Sequence, residues 1–459
     1  MMSSREVVRQ GGLLGLDNIR AIGQDGLISF LMKGWQEHGD FYEVKLGRQL
    51  TYVVTHPDYV HHMALGHGDI YGKGRTYEPV RKYLLGDSIV PTDGDVWQWQ
   101  RRMLAPFFTP RAVGRYAQMM VDESQKLLGR LQMVEGNVVD MSEEMLKVAS
   151  GIILRSIFGM EREHQAQVLA DVNRMIRYTS TRMFPFVMPD WVPTEQNSQY
   201  WEARERLHTY IKRVIAEREQ MEQADWPDDL LSQMLVARQD EEWVEMTDDM
   251  LINESLSLFI AGHETTARTM AFTTYLLSKN EEAERRVVAE VASVLGGRSL
   301  VDAPLTVDDL KRMPYLLQAI KETLRLYPTV VAITRDVFKD DEIDGYQLKA
   351  GNRMMMFAYG THRHPDFWEE PEAFRPERFE PEAEQERHPY AYYPFAVGQR
   401  VCVGNNFALL EAQIVLAMLY SQYRPRLLAG HDPQIKMLGT VVPTNGMPMQ
   451  INPVTLAVR

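Results

Sequence analysis

Apolar and polar positions alternate through residues 41–55, FYEVKLGRQLTYVVT, on either side of Gly47-Arg48. A period of two broken by a glycine-containing pair predicts a β-hairpin. Tyr42, Val44 and Leu46 would share a face in one arm, with Leu50, Tyr52 and Val54 as the matching face of the other. From about 95 to 325 the pattern is mostly helical, punctuated at QADWPDD (223–229) and LGGRSLVDAPLT (295–306). After Pro328 short strands and turns return, and 380–394, EPEAEQERHPYAYYP, reads as a long polar loop. No repeat, low-complexity tract or flexible linker divides the chain. The expectation is one large, mainly α-helical domain over 1–459, with minor β-rich parts near 41–70 and 329–360.

Two helical stretches stand out. Thr247 is a suitable N-cap, with Asp248-Asp249 in the first turn, for a helix of about 30 residues, or roughly 45 Å. Its middle, Ala261-Gly262-His263-Glu264-Thr265-Thr266, is irregular: glycine costs about 1 kcal/mol against alanine in a helix, and threonines can bond backwards to carbonyls. Ala261 and Thr265, four apart, share a face, whereas His263 lies off it and reads as structural. The second stretch, MPYLLQAIKETLRLYP, has Pro314 in its first turn and Pro328 at its stop. Its Glu322 and Arg325, three apart, are neighbours, with so many leucines around them that little polar face remains.

The net charge of −13 argues against nucleic acid or an anionic membrane as main partner. The amino terminus lacks the h-region of a signal peptide, and no run approaches the roughly 18 apolar residues of a membrane anchor. A cytoplasmic protein is expected. The composition shows one cysteine, which excludes an intramolecular disulfide, a four-cysteine zinc site and a four-cysteine iron–sulfur cluster. That residue, Cys402, lies in PFAVGQRVCVGNNFALLEAQ (394–413), a glycine-rich turn running into an apolar-periodic helix. A helix amino terminus and close backbone N–H groups both favour a thiolate. The residue is inert packing, a nucleophile or a lone metal ligand.

Phe395, Gly398, Arg400, Cys402 and Gly404 fill the pattern F-x-x-G-x-R-x-C-x-G, and with A-G-x-E-T-T and E-x-x-R upstream the chain resembles the cytochrome P-450 superfamily of haem-thiolate monooxygenases. The resemblance covers about 40–450 and implies that fold, a single large domain enclosing haem. It implies Cys402 as axial ligand of a b-type haem, whose thiolate favours O–O cleavage, with Phe395 shielding the sulfur. Arg400, Arg335 and the pair Trp97 and Arg101 (ahead of Trp99 and Arg102) would contact the propionates. Ala261 and Gly262 would leave room over the iron. Glu264 would relay protons and Thr265 hydrogen-bond dioxygen, with Thr266 able to substitute in part. Glu322, Arg325 and Arg378 map onto the family's buried structural cluster. His362 and His364 in THRHPDFW fit a solvated polar turn, and the 27 methionines serve as pliant core filler.

By the same resemblance Ile89, Val90, Phe184, Phe186, Ala261, Val330, Val331, Ala332, Val441 and Val442 line a pocket for a small apolar substrate of fatty-acid, terpenoid or aromatic type. Arg75 and Tyr77 fall near its expected entrance. The activity implied is insertion of one atom of O2, with reducing equivalents ultimately from NAD(P)H. The alternatives are peroxide-driven hydroxylation, haem-catalysed rearrangement, or a haem-based gas sensor or carrier. With no flavin or iron–sulfur module evident, a monomer served by a separate ferredoxin or flavodoxin and its reductase is expected. Arg101, Arg102, Arg111 and Arg115, with no acid until Asp122, form a basic stretch suited to docking such an acidic donor.

Overall fold

The computed structural model describes residues 5–454 apart from 6, 13–14, 66–68, 160–164, 183–187, 240–245, 299 and 301–302. Strand β1 (Val8–Gln10) pairs parallel with β2 (Phe41–Leu46), which turns at Gly47-Arg48 into antiparallel β3 (Gln49–Val54). Gly47 takes φ 62°, the left-handed backbone that a two-residue turn demands. That turn sets Leu46 opposite Gln49, so Tyr42 faces Val53 and Val44 faces Thr51. The expected matching face is therefore wrong by one residue: Leu50, Tyr52 and Val54 lie with Phe41 on the opposite side. Both sides are covered, Tyr42, Val44 and Val53 in one apolar cluster and Phe41, Tyr52 and Val54 in another.

Strands β4 (Tyr71–Gly72), β5 (Ile333–Val337) and β6 (Arg353–Met356) complete a sheet of order β1-β2-β3-β6-β5-β4. Methionines build the interior strand β6: Met354 and Met356 are buried on one face, and Met355 is half-buried on the other. Unbranched thioethers fill the uneven space between neighbouring strands.

The larger part is helical: α1 (Gly94–Leu104), α2 (Ala117–Gln132), α3 (Met141–Phe158), α4 (Gln165–Thr181), α5 (Glu195–Glu219), α6 (Asp248–Lys279), α7 (Glu281–Leu295), α8 (Pro314–Leu326) and α9 (Asn405–Gln422). Thr247 caps α6, accepting from the Met250 amide at 3.3 Å. At 1.5 Å per residue α6 is roughly 48 Å long, and it runs unbroken through Gly262. Residues of α2, α3, α6, α8 and α9 share the main core. Residues 380–394 are not wholly loop, since Pro381–Glu386 form a short helix. Among the described residues no helix is long and apolar enough to cross a membrane.

Candidate active site

The Cys402 turn is fixed by backbone geometry. The Cys402 amide donates to the Phe395 carbonyl at 2.8 Å, and the Val401 amide to that of Gly398 at 3.2 Å. Ala396 and Gly398 hold φ 63° and 66°. A Cβ on Gly398 would stand 2.3 Å from the Ala64 carbonyl oxygen, so only glycine fits. Helix α9 starts three residues after the cysteine, with Gly404 at its N-cap. Cys402 keeps accessible surface although protein surrounds it, so its sulfur borders an internal space. Burial pushes the thiol up, against the Gly404 amide and the Arg101 charge. Burial thus outweighs the helix terminus, contrary to the sequence expectation. A protonated thiol near an arginine is a poor nucleophile but a good ligand, since coordination removes the proton.

On α6, Ala261 is exposed and Thr265 partly so, although Phe259 and His263 beside them are buried. The Thr265 hydroxyl donates to the Ala261 carbonyl at 2.7 Å. Gly262 turns elsewhere: a Cβ there would lie 2.9 Å from Ile153 Cδ1 on α3. Its missing side chain serves helix packing, so it is not the residue that leaves space beside Ala261. Glu264 faces Arg268 at 3.3 Å. Both line a polar cleft of about 660 Å³ with Asp140, Ser142 and Arg174. Thr266 is buried. His263 is structural as expected, stacked on Phe259 with Nδ1 3.0 Å from that residue's carbonyl.

A positive cluster lies beside the turn. The Arg400 guanidinium sits over the Trp97 ring at 3.9 Å, donates to the Thr92 carbonyl at 2.9 Å and pairs with Asp93. Arg335 on β5 and Arg400 line one cleft with Tyr71 and Trp97. Lys73, which the sequence reading missed, joins them with its Nζ 3.9 Å from the Tyr77 ring centre. Burial, with the Arg335 and Arg400 charges, pushes Lys73 down to about 8. Burial would raise the Tyr77 phenol, yet Lys73 and Arg335 hold it down at about 8. Arg400 is lowered to about 10 by burial, against the pull of Asp93. Three cations around one carboxylate leave an excess of positive charge in a partly enclosed cleft. Such a site suits a carboxylated ligand, and two propionates meet the requirement. Arg101 stands apart, donating to the Val401 carbonyl at 2.9 Å beside the sulfur.

Behind the turn, Arg325 has all five N–H groups bonded. They reach both oxygens of Glu322 (2.7 and 2.8 Å) and the carbonyls of His362 (2.8 Å), Pro371 (2.7 Å) and Ala373 (3.0 Å). Glu322 and Arg325 are both 0% exposed, and Arg378 Nε stands 3.4 Å from Glu322. His362 and His364 are buried, not solvated. His362 accepts the Tyr393 amide at 2.9 Å, with burial pushing it down to about 3, and His364 Nε2 is 3.1 Å from Asp40.

The Cytochrome P450 family profile matches residues 13–452. The chain belongs to the cytochrome P450 family. It is a P450 monooxygenase, and membership implies haem, which the Cys402 turn and the cationic cleft fit. The chain is 31% identical over 401 residues to cyclooctat-9-en-7-ol 5-monooxygenase of Streptomyces melanosporofaciens, covering 86% of this chain and 84% of that protein. It is 29% identical over 398 residues to cyclooctatin synthase of the same organism, with the same coverage of 86% and 84%. The crystal structure of the cytochrome P450DA haem domain matches 99% of both chains with a TM-score of 0.89 at 24% identity, a likeness of fold.

Within this P450 the expected pocket set divides. Val330 is 37% exposed, while Val90 and Ala332 are half-buried. Val331 and Val441 are 0% exposed, so they are packed into the core and are corrected to core residues. Val442 is nearly buried and lines the Glu264 cleft, and Ile89 is 8% exposed. Phe184 and Phe186 lie outside the described residues. Tyr77 belongs to the cationic cluster, whereas Arg75 is exposed.

Proposed function

We propose that this P450 inserts one atom of O2 into an apolar, terpenoid-type substrate, with electrons from NAD(P)H through a reductase and a separate ferredoxin or flavodoxin. The observation carrying the reading is the accessible yet enclosed Cys402 sulfur in its glycine turn, together with the accessible Ala261–Thr265 face of α6. The names of the two Streptomyces relatives favour a terpenoid over a fatty acid.

Cys402 Sγ would bind the haem iron as thiolate. Lys73, Arg335, Arg400 and Trp97 would hold the propionates, and Arg101 would steady the thiolate. Haem, when bound, supplies the activation of O2. The Thr265 hydroxyl, which donates to the Ala261 carbonyl at rest, rotates to present its proton on the accessible face. Glu264 replenishes that proton from the cleft it lines with Arg268. Ile89, Val90, Val330 and Ala332 exclude water around the substrate.

The reduced protein with carbon monoxide is expected to show the strongly red-shifted Soret band of thiolate ligation, absent in Cys402→Ala. Retention of the band in that variant would refute the assignment. Terpenoids added to the ferric protein should shift its haem spectrum, and turnover should consume nicotinamide cofactor with O2. The pairing of Glu264 with Arg268 favours one second reading, peroxide-driven hydroxylation, which needs no proton relay. Equal product from peroxide alone would establish it.

A further inference from the structure

Glu254 is a buried carboxyl that the reaction above does not use. It lies on α6, seven residues before Ala261 and eleven before Thr265. Those spacings return to the same helix face, with Glu254 about 10 Å along the axis from Ala261. Ala261 on that face is exposed, yet Glu254 is 2% exposed. What covers it is the segment 86–93.

The Ile89 amide donates to the Glu254 carboxyl, at 3.0 Å to Oε1 and 3.2 Å to Oε2. One residue of α6 earlier, Asn253 closes against Gly86, where a Cβ would lie 2.3 Å from its side chain. Other bonds brace the segment within itself and towards the propionate cleft. Gln100 on α1 donates to the Asp87 carbonyl at 2.6 Å, and Thr92 bonds to the Ser88 carbonyl at 2.8 Å. Arg400 holds the Thr92 carbonyl, and Asp93 takes the Lys73 amide at 2.7 Å. The segment is thus a strap between the propionate cleft and α6, and Ile89 N–H to Glu254 is its hydrogen bond to α6.

We infer that Glu254 is a positioning residue: by accepting the Ile89 N–H it holds Ile89 and Val90 over the Ala261–Thr265 face and so sets the size of ligand admitted beside the iron. Glu254 forms no ion pair among the described residues, and burial raises it to about 8 against the single pull of the Ile89 amide. Burial thus favours the uncharged form of the side chain, and a carboxamide oxygen can take its place as acceptor. Buried acids without a cation are costly unless their hydrogen bonding has a use. Here the use is to tie a strap, whose residues come from the chain before α1, to the helix carrying Thr265.

The inference rests on the proposed haem at Cys402, and its test separates the two. Haem-loaded wild type, Glu254→Gln and Glu254→Asp are titrated with imidazole and with 4-phenylimidazole, and deuterium exchange is followed across 84–93. Aspartate withdraws the acceptor by about 1.5 Å. Glu254→Asp is expected to bind imidazole within about twofold of wild type but 4-phenylimidazole about tenfold more tightly, because the released strap no longer limits ligand size, with faster exchange in the strap. Glu254→Gln is expected to match wild type in all three. An unchanged ratio of the two affinities in Glu254→Asp overturns the inference, as does Glu254→Gln behaving like Glu254→Asp. Loss of haem from Glu254→Asp also overturns it, because a positioning role leaves Cys402 untouched. A wild type without the red-shifted carbon monoxide band would instead refute the haem-thiolate reading.

Discussion

Replacing Arg325 by leucine removes the centre of the cluster behind the Cys402 turn. The change leaves Glu322, itself 0% exposed, with only the Arg375 amide at 2.9 Å and Arg378 Nε at 3.4 Å. Removing one partner of a buried ion pair costs about 3–5 kcal/mol. The carbonyls of His362, Pro371 and Ala373 lose their Arg325 donor as well, at about 1–3 kcal/mol for each left dry. Even without full additivity the loss rivals the roughly 5–15 kcal/mol that holds a domain folded. Arg378→Leu is the control. Its side chain is 11% exposed and its contact with Glu322 is long, so its loss should cost about 1–3 kcal/mol. The assay is soluble yield, haem per chain and the urea midpoint. Arg325→Leu should give almost no haem-loaded protein, while Arg378→Leu should fold with a lowered midpoint. A soluble Arg325→Leu protein with the wild-type midpoint, or a larger loss in Arg378→Leu, would refute the reasoning.

Thr265→Ala should keep its haem while sending electrons to peroxide instead of product; unchanged coupling removes the hydroxyl from the proton path. The buried Thr266 is not expected to rescue it. Asn406 donates to the Phe108 carbonyl at 3.0 Å, which places the exposed Arg111 on the Cys402 side, with Arg102 on the helix that precedes Phe108; Arg115 is drawn towards Asp228. Reversing Arg102 and Arg111 to Glu should slow reduction by an acidic donor at least severalfold at low salt, and the wild-type rate should fall as salt rises. Equal rates at low salt would move the docking face elsewhere.

The parts legible in the sequence are those fixed by local spacing. Thr247 caps α6, the hairpin turns at Gly47, and Cys402 sits in a turn that needs Gly398. Glu322 and Arg325 meet because three residues on a helix make neighbours. The misreadings concern what lies across the gap from a residue. Gly262 looked like space beside Ala261, but the occupant of its space is Ile153, 109 positions earlier. The resemblance places Val331 and Val441 in the pocket by their position, yet the Val441 amide bonds to the Thr329 carbonyl at 3.1 Å and both side chains are 0% exposed. His362 and His364 looked solvated because their loop is polar, and the burial comes from distant partners, Tyr393 and Asp40. Lys73 was signalled only by its flanking glycines, Gly72 and Gly74, and its charge acquires meaning beside Arg335 and Arg400. Glu254 gave no warning, since a lone acid in a helix is ordinarily a solvated one.

The methionine strand β6 bears on how such an enzyme ages. A P450 that leaks peroxide bathes itself in an oxidant that converts thioethers to polar sulfoxides. Met354 and Met356 are 0% and 3% exposed, and a sulfoxide at either would force a polar oxygen into the middle of the six-stranded sheet. Met133 and Met188, at 88% and 58% exposed, meet the oxidant first and can be oxidised without loss of packing. Early damage should accumulate harmlessly at the surface, and inactivation should come only when the sheet beside Arg335 opens enough to admit peroxide.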